Sequence, residues 1–310
     1  MHMINFKHIS TIFKRKMPRV LLLAVFVALA LTSKAQLDPF QSMYYQNRYL
    51  LNPALAGVNG GLMINTNYQQ QWSAFPGTPK TELFTGDYSS SERVGLGLNV
   101  SDDQAGIIRT TRIVGSYAYH LRLNGSNDEH LHFGLSLGVN NSRVDMNKVS
   151  GDLTDDEIAI YNQLKPYVDG DLGIAYTNKS WLVSATMPNL SATLLNSSDS
   201  RFDADQLLFI GQVAYKIDLS NDYNNLSLEP MAAYRVVKGY KDIVDAGLNF
   251  GINDYGVNMQ VIYHSNQNTS LGVGFNLKPV ALMFNYNIET GPLSNYTNGS
   301  FEMGLRFHFL

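Results

Sequence analysis

Phe301-Glu302-Met303-Gly304-Leu305-Arg306-Phe307-His308-Phe309-Leu310 closes the sequence and decides how the rest of it reads. Phe301, Met303, Leu305, Phe307 and Phe309 are apolar at every second position, and Glu302, Gly304, Arg306 and His308 fill the alternate face. Period two marks a strand whose faces meet different surroundings. In an open sheet so aromatic an edge invites aggregation. Pairing the last strand with the first removes the edge and makes a barrel. A terminal strand of a soluble sandwich is the plainer alternative.

The same theme recurs upstream, as about ten residues of alternation followed by turn chemistry. Strands are expected near 61–72, 79–90, 93–101, 107–122, 130–144, 166–178, 180–188, 204–218, 225–237, 241–253, 255–265, 268–278, 280–289 and 300–310. Leu131, Phe133, Leu135, Leu137 and Val139 share one face; Val280, Leu282, Phe284, Tyr286 and Ile288 share another. Fourteen is an even number, and lengths near 9–11 let a tilted strand cross a bilayer. Short connections (89–92, 123–129, 177–179, 220–224, 253–254, 278–279) alternate with a set that holds the long ones (72–78, 145–165, 189–203, 290–299). Outer-membrane barrels have this asymmetry, short side periplasmic, which puts both chain ends in the periplasm. The fold class read from 61–310 is an all-β, antiparallel transmembrane barrel of about 14 strands in outer-membrane lipid.

Composition agrees. Charged residues are 16% of the chain, below the ~25% usual in soluble domains, while 18 Tyr, 15 Phe and 25 Gly suit an apolar outer face and a small-residue interior. Lys7, Lys14, Arg15, Lys16 and Arg19 precede an apolar run at 20–31, and Ser33-Lys34-Ala35 supplies a small-residue cleavage site before Gln36. Residues 1–35 therefore read as a cleaved signal peptide. Without them 17 basic residues stand against 26 acidic, a net charge of −9, which argues against nucleic acid as a partner. The absence of Cys excludes disulfides and thiolate metal sites. Residues 36–60 form a distinct N-terminal segment, periplasmic or lumenal. Asp38-Pro39 signals a helix start, 40–51 has room for about three helical turns, and Asn52-Pro53 stops them.

Enzyme chemistry finds little support. Gly134-Leu135-Ser136-Leu137-Gly138 matches a nucleophile pattern that works only at a sharp strand-to-helix turn. Here it lies in mid-strand, so Ser136 is a small inward residue. The seven His are scattered, His130 and His132 reading as turn and lumen residues. Asp152, Asp155, Asp156 and Glu157 suit a solvated acidic loop better than a calcium site. No catalytic residue, metal ligand or cofactor is expected.

Residues 36–106 resemble the PorP/SprF-like outer-membrane proteins of the type IX secretion system in Bacteroidota. The ordered motifs are Gln36-Leu37-Asp38-Pro39-Phe40, Gln46-Asn47, Leu51-Asn52-Pro53-Ala54-Leu55-Ala56-Gly57, Tyr68-Gln69-Gln70-Gln71-Trp72, Gly77-Thr78-Pro79-Lys80-Thr81 and Val94-Gly95-Leu96-Gly97-Leu98 with Gly106 following. Gln69 stands where the family carries Arg, so any pairing of that guanidinium with an acidic partner is absent here. The run Glu302, Gly304, Phe307, Phe309 resembles the terminal signal that hands outer-membrane barrels to the barrel assembly machinery.

The resemblance implies a non-enzymatic role, docking type IX components or anchoring secreted proteins with C-terminal sorting domains, such as gliding adhesins. Candidate partner-binding residues are Trp72, Phe75, Gly77, Pro79, Thr81, Asn52 and Pro53. Trp72 and Phe75 are aromatic anchors, and Gly77 and Pro79 fix a loop with little entropy left to lose. A loop that folds inward and plugs the barrel is the other reading of these residues. The competing function is a plugged outer-membrane channel for small solutes.

Overall fold

The alternation read along the sequence becomes one continuous ladder in the computed structural model, which describes residues 42–72, 77–124, 128–146, 165–194, 206–290 and 298–309. The chain divides into two units, Met1–Leu37 and Asp38–Leu310, and every described residue belongs to the second. The expected signal peptide lies outside the described residues.

The strands are β1 (Leu62–Gln71), β2 (Lys80–Ser91), β3 (Val94–Ala105), β4 (Ile108–Asn124), β5 (Glu129–Val144), β6 (Tyr167–Thr177), β7 (Trp181–Met187), β8 (Leu207–Tyr215), β9 (Ile217–Asp218), β10 (Leu226–Val237), β11 (Ile243–Ile252), β12 (Val257–His264), β13 (Asn268–Leu277), β14 (Val280–Glu289) and β15 (Ser300–Phe309). Each pairs antiparallel with its neighbours, and β15 returns to β1 in a register running from Leu62↔Phe309 to Gln71↔Ser300. The sheet is closed. Its fifteen segments make fourteen barrel strands, because β8 and β9 are one strand interrupted at Lys216.

Pro230 accounts for the interruption. Met231 pairs with Ala214 and Leu228 with Ile217, so Pro230 and Glu229 fall opposite Tyr215 and Lys216. Proline gives the ladder no N–H. The Lys216 N–H turns to the other side and donates to the Ser180 carbonyl at 2.8 Å.

Outward positions are apolar in register. Val280, Leu282, Phe284 and Tyr286 pair with Phe307, Leu305, Met303 and Phe301, building rows of a lipid-facing band. The upper edge of the band is legible on β3–β5. Val100, Ile113 and Val139 form its last apolar row there, and Asp102, Thr111 and Asn141 the first polar one. Beyond it the hairpins continue into water, with Arg109 Nε donating to both oxygens of Asp102 at 2.9 Å. At the opposite, short-turn end Trp181 and Tyr215 pack at 4.6 Å between ring centroids, as interfacial aromatics do. Among the described residues no helix is long and apolar enough to cross a membrane, which says nothing about strands.

Inside the barrel lies the N-terminal segment. In place of three continuous helical turns over 40–51, the chain makes a 3-10 turn (Met43–Tyr45), one α-helical turn α1 (Arg48–Leu51) and a second 3-10 turn (Pro53–Leu55). Asn47 restarts the helix, its side-chain oxygen accepting the Leu50 N–H at 3.2 Å. The break serves packing. A continuous helix would send Tyr45 and Tyr49 to one face, whereas the lumen needs them on different walls. A five-residue helix, α2 (Leu190–Leu194), follows β7.

Candidate functional site: the plugged lumen and its vestibule

The plug meets two kinds of wall. Against β3, β5 and β6 it presses onto glycines. A Cβ on Gly95 would lie 1.9 Å from the Ala56 carbonyl oxygen, and one on Gly134 would lie 2.1 Å from the Ala54 nitrogen. At Gly97 and Gly173 the same added atom would meet the Tyr49 ring and the Asn52 side chain. The wall here is shaped by missing side chains.

Polar groups then fix the plug in register. Asn52 is buried and donates to the carbonyls of Ile174 at 3.0 Å and Ala185 at 3.2 Å, while its oxygen accepts the Ala54 N–H at 2.9 Å. The Tyr49 hydroxyl reaches Ser116 at 2.9 Å, and Ser116 reaches Ser136 at 2.7 Å. Ser136 is thus an inward wall residue at mid-strand, as its alternation implied, with no strand-to-helix turn around it. His120 Nε2 donates to the Ala56 carbonyl at 3.1 Å, and the Nδ1 atoms of His120 and His132 share a hydrogen bond at 2.8 Å. Burial pushes the Tyr49 phenol above its ordinary pKa and does the same to Tyr45.

On the other side the plug is held by charge. Ser42 donates to Glu302, Tyr44 to Asp245, and Arg48 pairs with Glu229. Asp245 is fully buried and also takes Arg235 Nε at 2.7 Å, Arg235 Nη2 at 2.9 Å and His264 Nδ1 at 2.7 Å. His264 Nε2 continues to Ser270 at 3.0 Å. Sequence reasoning missed this cluster. Its signal was present, since Arg235, Asp245 and His264 occupy inward positions of strands whose alternation is clear in the sequence.

Between this charged wall and residues 43–47 the lumen keeps a cavity of about 670 Å³. It lies at the short-turn end, for its lining includes Asn253, Asp254 and Lys278 from two of those connections and Lys216 close to a third. The plug residues Met43, Tyr45, Gln46 and Asn47 line it as well.

The expected partner-binding residues are split between the long-loop end and the interior. Asn52 and Pro53 are buried in the plug, away from any outer surface. Thr81 faces inward and donates to Asp103 at 2.5 Å. Gln69 is also buried and inward, so the residue at this position shapes the lumen and not an outer surface. Trp72 and Pro79 flank the first long-loop connection, where Pro79's carbonyl accepts the Gln71 N–H. Trp72 has φ +47°, uncommon for a bulky residue. Its backbone N–H donates to Gly299 at 2.9 Å and its indole bonds Glu289, tying this loop to the one before β15. Gly77 stands at φ +75° in open space. Phe75 lies outside the described residues, as do Asp152, Asp155, Asp156 and Glu157. Of the terminal run, Phe307 and Phe309 point outward and Gly304 inward, as the alternation predicts.

A closed fourteen-stranded barrel with an apolar outer band and its own chain in the lumen defines an outer-membrane β-barrel with an internal plug. Residues 33–307 match the family model of the type IX secretion system membrane protein PorP/SprF, and the chain belongs to that family. No curated protein matches it. Among solved structures it is similar to the Acinetobacter baumannii outer membrane protein Omp33, at 8% identity and TM-score 0.44, over 80% of this chain and 98% of that one. It is also similar to the CymD monoaromatic hydrocarbon channel, at 11% identity and TM-score 0.40, over 85% and 92%. A KdgM porin in complex with disordered oligogalacturonate matches at 10% identity and TM-score 0.36, over 80% and 99%. These are likenesses between barrels.

Proposed function

We propose that the protein is a non-enzymatic adaptor of the type IX apparatus, a barrel that docks secretion components or anchors a secreted surface protein. The observation that carries this reading is the plug. Residues 42–56 fill the lumen and are bonded to the wall on both sides, so the work falls to the barrel's ends rather than to passage of solutes. The short turns and both chain ends are assigned to the periplasm, following the usual loop asymmetry. The long-loop rim then faces outward, with Trp72, Gly77 and Pro79 as its preorganised part. A secreted protein with a C-terminal sorting domain, such as a gliding adhesin, is the partner class this placement suits.

Trp72→Ala tests the reading. Losing a central aromatic anchor typically costs about 2–4 kcal/mol of binding, roughly 30- to 1000-fold in affinity. The tagged variant should remain folded yet co-purify far less of one large secreted protein by mass spectrometry, and that protein should leave the cell surface. If solute permeability changes instead while the surface proteome stays the same, the barrel is a channel and the adaptor reading is wrong.

A further inference from the structure

The vestibule carries chemistry that neither the plug nor the barrel uses. Its carboxylates are committed: Glu229 is paired with Arg48, and Asp254 accepts the Asn225 N–H at 2.8 Å. Its cations have donors to spare. Lys216 and Lys278 lie exposed at the mouth, and Arg306 gives one long hydrogen bond, 3.4 Å to the Gln46 carbonyl. Asp87 lies in the field of Arg306, but its carboxylate bonds the Gly57 N–H and its other oxygen has no hydrogen-bond partner. The lining therefore selects an anion.

The neutral groups narrow the choice. Asn65, Asn249 and Asn258 line the cavity with amides. An amide side chain offers both a donor and an acceptor, which is what each residue of a polypeptide main chain presents. An apolar occupant would take water away from the lining amides of Asn65, Asn249 and Asn258 and give nothing back, at a cost in affinity. The inner end of the cavity is closed by residues 43–47, which suits a tethered chain end that enters and stays. The cavity is enclosed by the continuous ladder of β10–β15 and β1, so a lipid headgroup in the bilayer has no lateral access.

We propose that the short-turn vestibule binds the carboxylate-bearing C-terminal end of a partner polypeptide, with Arg306 meeting the carboxylate and the asparagines meeting the main chain. The partner approaches from the compartment that the short turns face. This deepens the adaptor reading and rests on it for the partner's identity, though the binding chemistry stands by itself.

The test uses the full-length barrel in detergent with three probes: a random hexapeptide mixture with free C-termini, the same mixture amidated, and free glucuronate. Wild type should retain the free-acid peptides about tenfold over the amides, the discrimination one charge-assisted pair gives. Arg306→Gln should abolish that preference, and Asn258→Trp, which fills the cavity, should abolish retention. Lys216→Gln removes one cation of the exposed mouth and leaves folding undisturbed. A preference that falls severalfold but persists there reads the positive field of the site even if Arg306→Gln fails to assemble, and an unchanged preference in Lys216→Gln counts against that field. Heat-modifiable gel mobility checks folding of each variant. Equal retention of acid and amide peptides, or competition by glucuronate without any peptide preference, overturns the proposal. Peptide capture with an unchanged surface proteome in the Trp72→Ala strain would sink the adaptor reading alone.

Discussion

The two halves of the lumen hold the same plug by opposite means. On the β3–β6 side the wall thins to glycine where the plug presses closest: Gly95 and Gly134 let backbone touch backbone, and Gly97 and Gly173 make room for the Tyr49 ring and the Asn52 amide. On the β10–β15 side the wall reaches inward with Glu229, Arg235, Asp245 and Glu302, and the fit leaves a 670 Å³ cavity. Close packing without side chains fixes position but recognises nothing, because it offers no spare hydrogen-bonding group. The charged side can do both, since it holds the plug with some groups and keeps others free. The difference teaches where to look for a ligand: at the wall that was not packed to contact.

The comparison breaks most visibly at Gly95. Gly95→Val puts a branched side chain where even a Cβ would sit 1.9 Å from the Ala56 carbonyl oxygen, and backbone cannot yield as a flexible side chain can. The cost should exceed the roughly 1–3 kcal/mol of ordinary overpacking. The plug should fail to seat, and Arg48 should become open to trypsin in the purified barrel. Gly115→Val is the control, because Gly115 faces outward with its nearest neighbour 4.0 Å from an added Cβ. Equal trypsin resistance in both variants would show that the plug does not need the glycine wall.

Next in size is the charged wall. Asp245→Ala strips partners from Arg235, His264 and Tyr44 at once, and the Arg235 side chain is only 5% exposed. Removing one partner of a buried ion pair costs about 3–5 kcal/mol, read as a lowered urea midpoint for barrel unfolding. Asp102→Ala breaks an ion pair of similar length outside the band, where Arg109 is 41% exposed. There the loss should be about 0–1 kcal/mol. If the two variants unfold alike, the interior cluster is no stronger than a surface pair.

How much of this is legible in the sequence follows from where period two applies. The strand count, the closure and the outward facing of Phe301 to Phe309 are readable, because lipid on one side and lumen on the other keep the alternation strict. The expected third strand ends at 101, whereas β3 runs to Ala105. Asp102-Asp103-Gln104 resembles loop because the hairpin leaves the lipid band there, and its outer face turns polar while the ladder continues. A periplasmic or lumenal N-terminal segment is readable too, but its broken helix is not, since nothing local announces which wall Tyr44 and Tyr49 must reach. Asn52-Pro53 reads as a helix stop and also as part of a partner surface. The structure places both residues inside, where Asn52's amide is spent on the barrel wall. The vestibule is invisible in the sequence, because it is made by the plug together with β1 and β10–β15, which only closure brings together.

Substitutions on the outer wall separate stability from assembly, and the smallest expected loss of stability among them is at Phe309. Met303→Arg places a charge in the inner rows of the apolar band and should destabilise the barrel by about 2–4 kcal/mol. Phe309→Asp sits in the last turn-side row of β15, paired with Leu62 at the edge of the band, where a charge costs about 0–1 kcal/mol. On stability alone, barrel carrying Phe309→Asp should therefore accumulate nearly as well as wild type. If the run Gly304, Phe307, Phe309 is read by the assembly machinery before folding, the order inverts. Phe309→Asp then loses more folded barrel in the outer membrane than Met303→Arg, although the Phe309→Asp protein that does fold unfolds at nearly the wild-type urea midpoint. Heat-modifiable mobility of membrane extracts measures the yield, and urea titration of the purified fraction measures the stability. Yields that simply follow the two urea midpoints would reduce the terminal aromatics to ordinary lipid-facing residues, with no separate role in assembly.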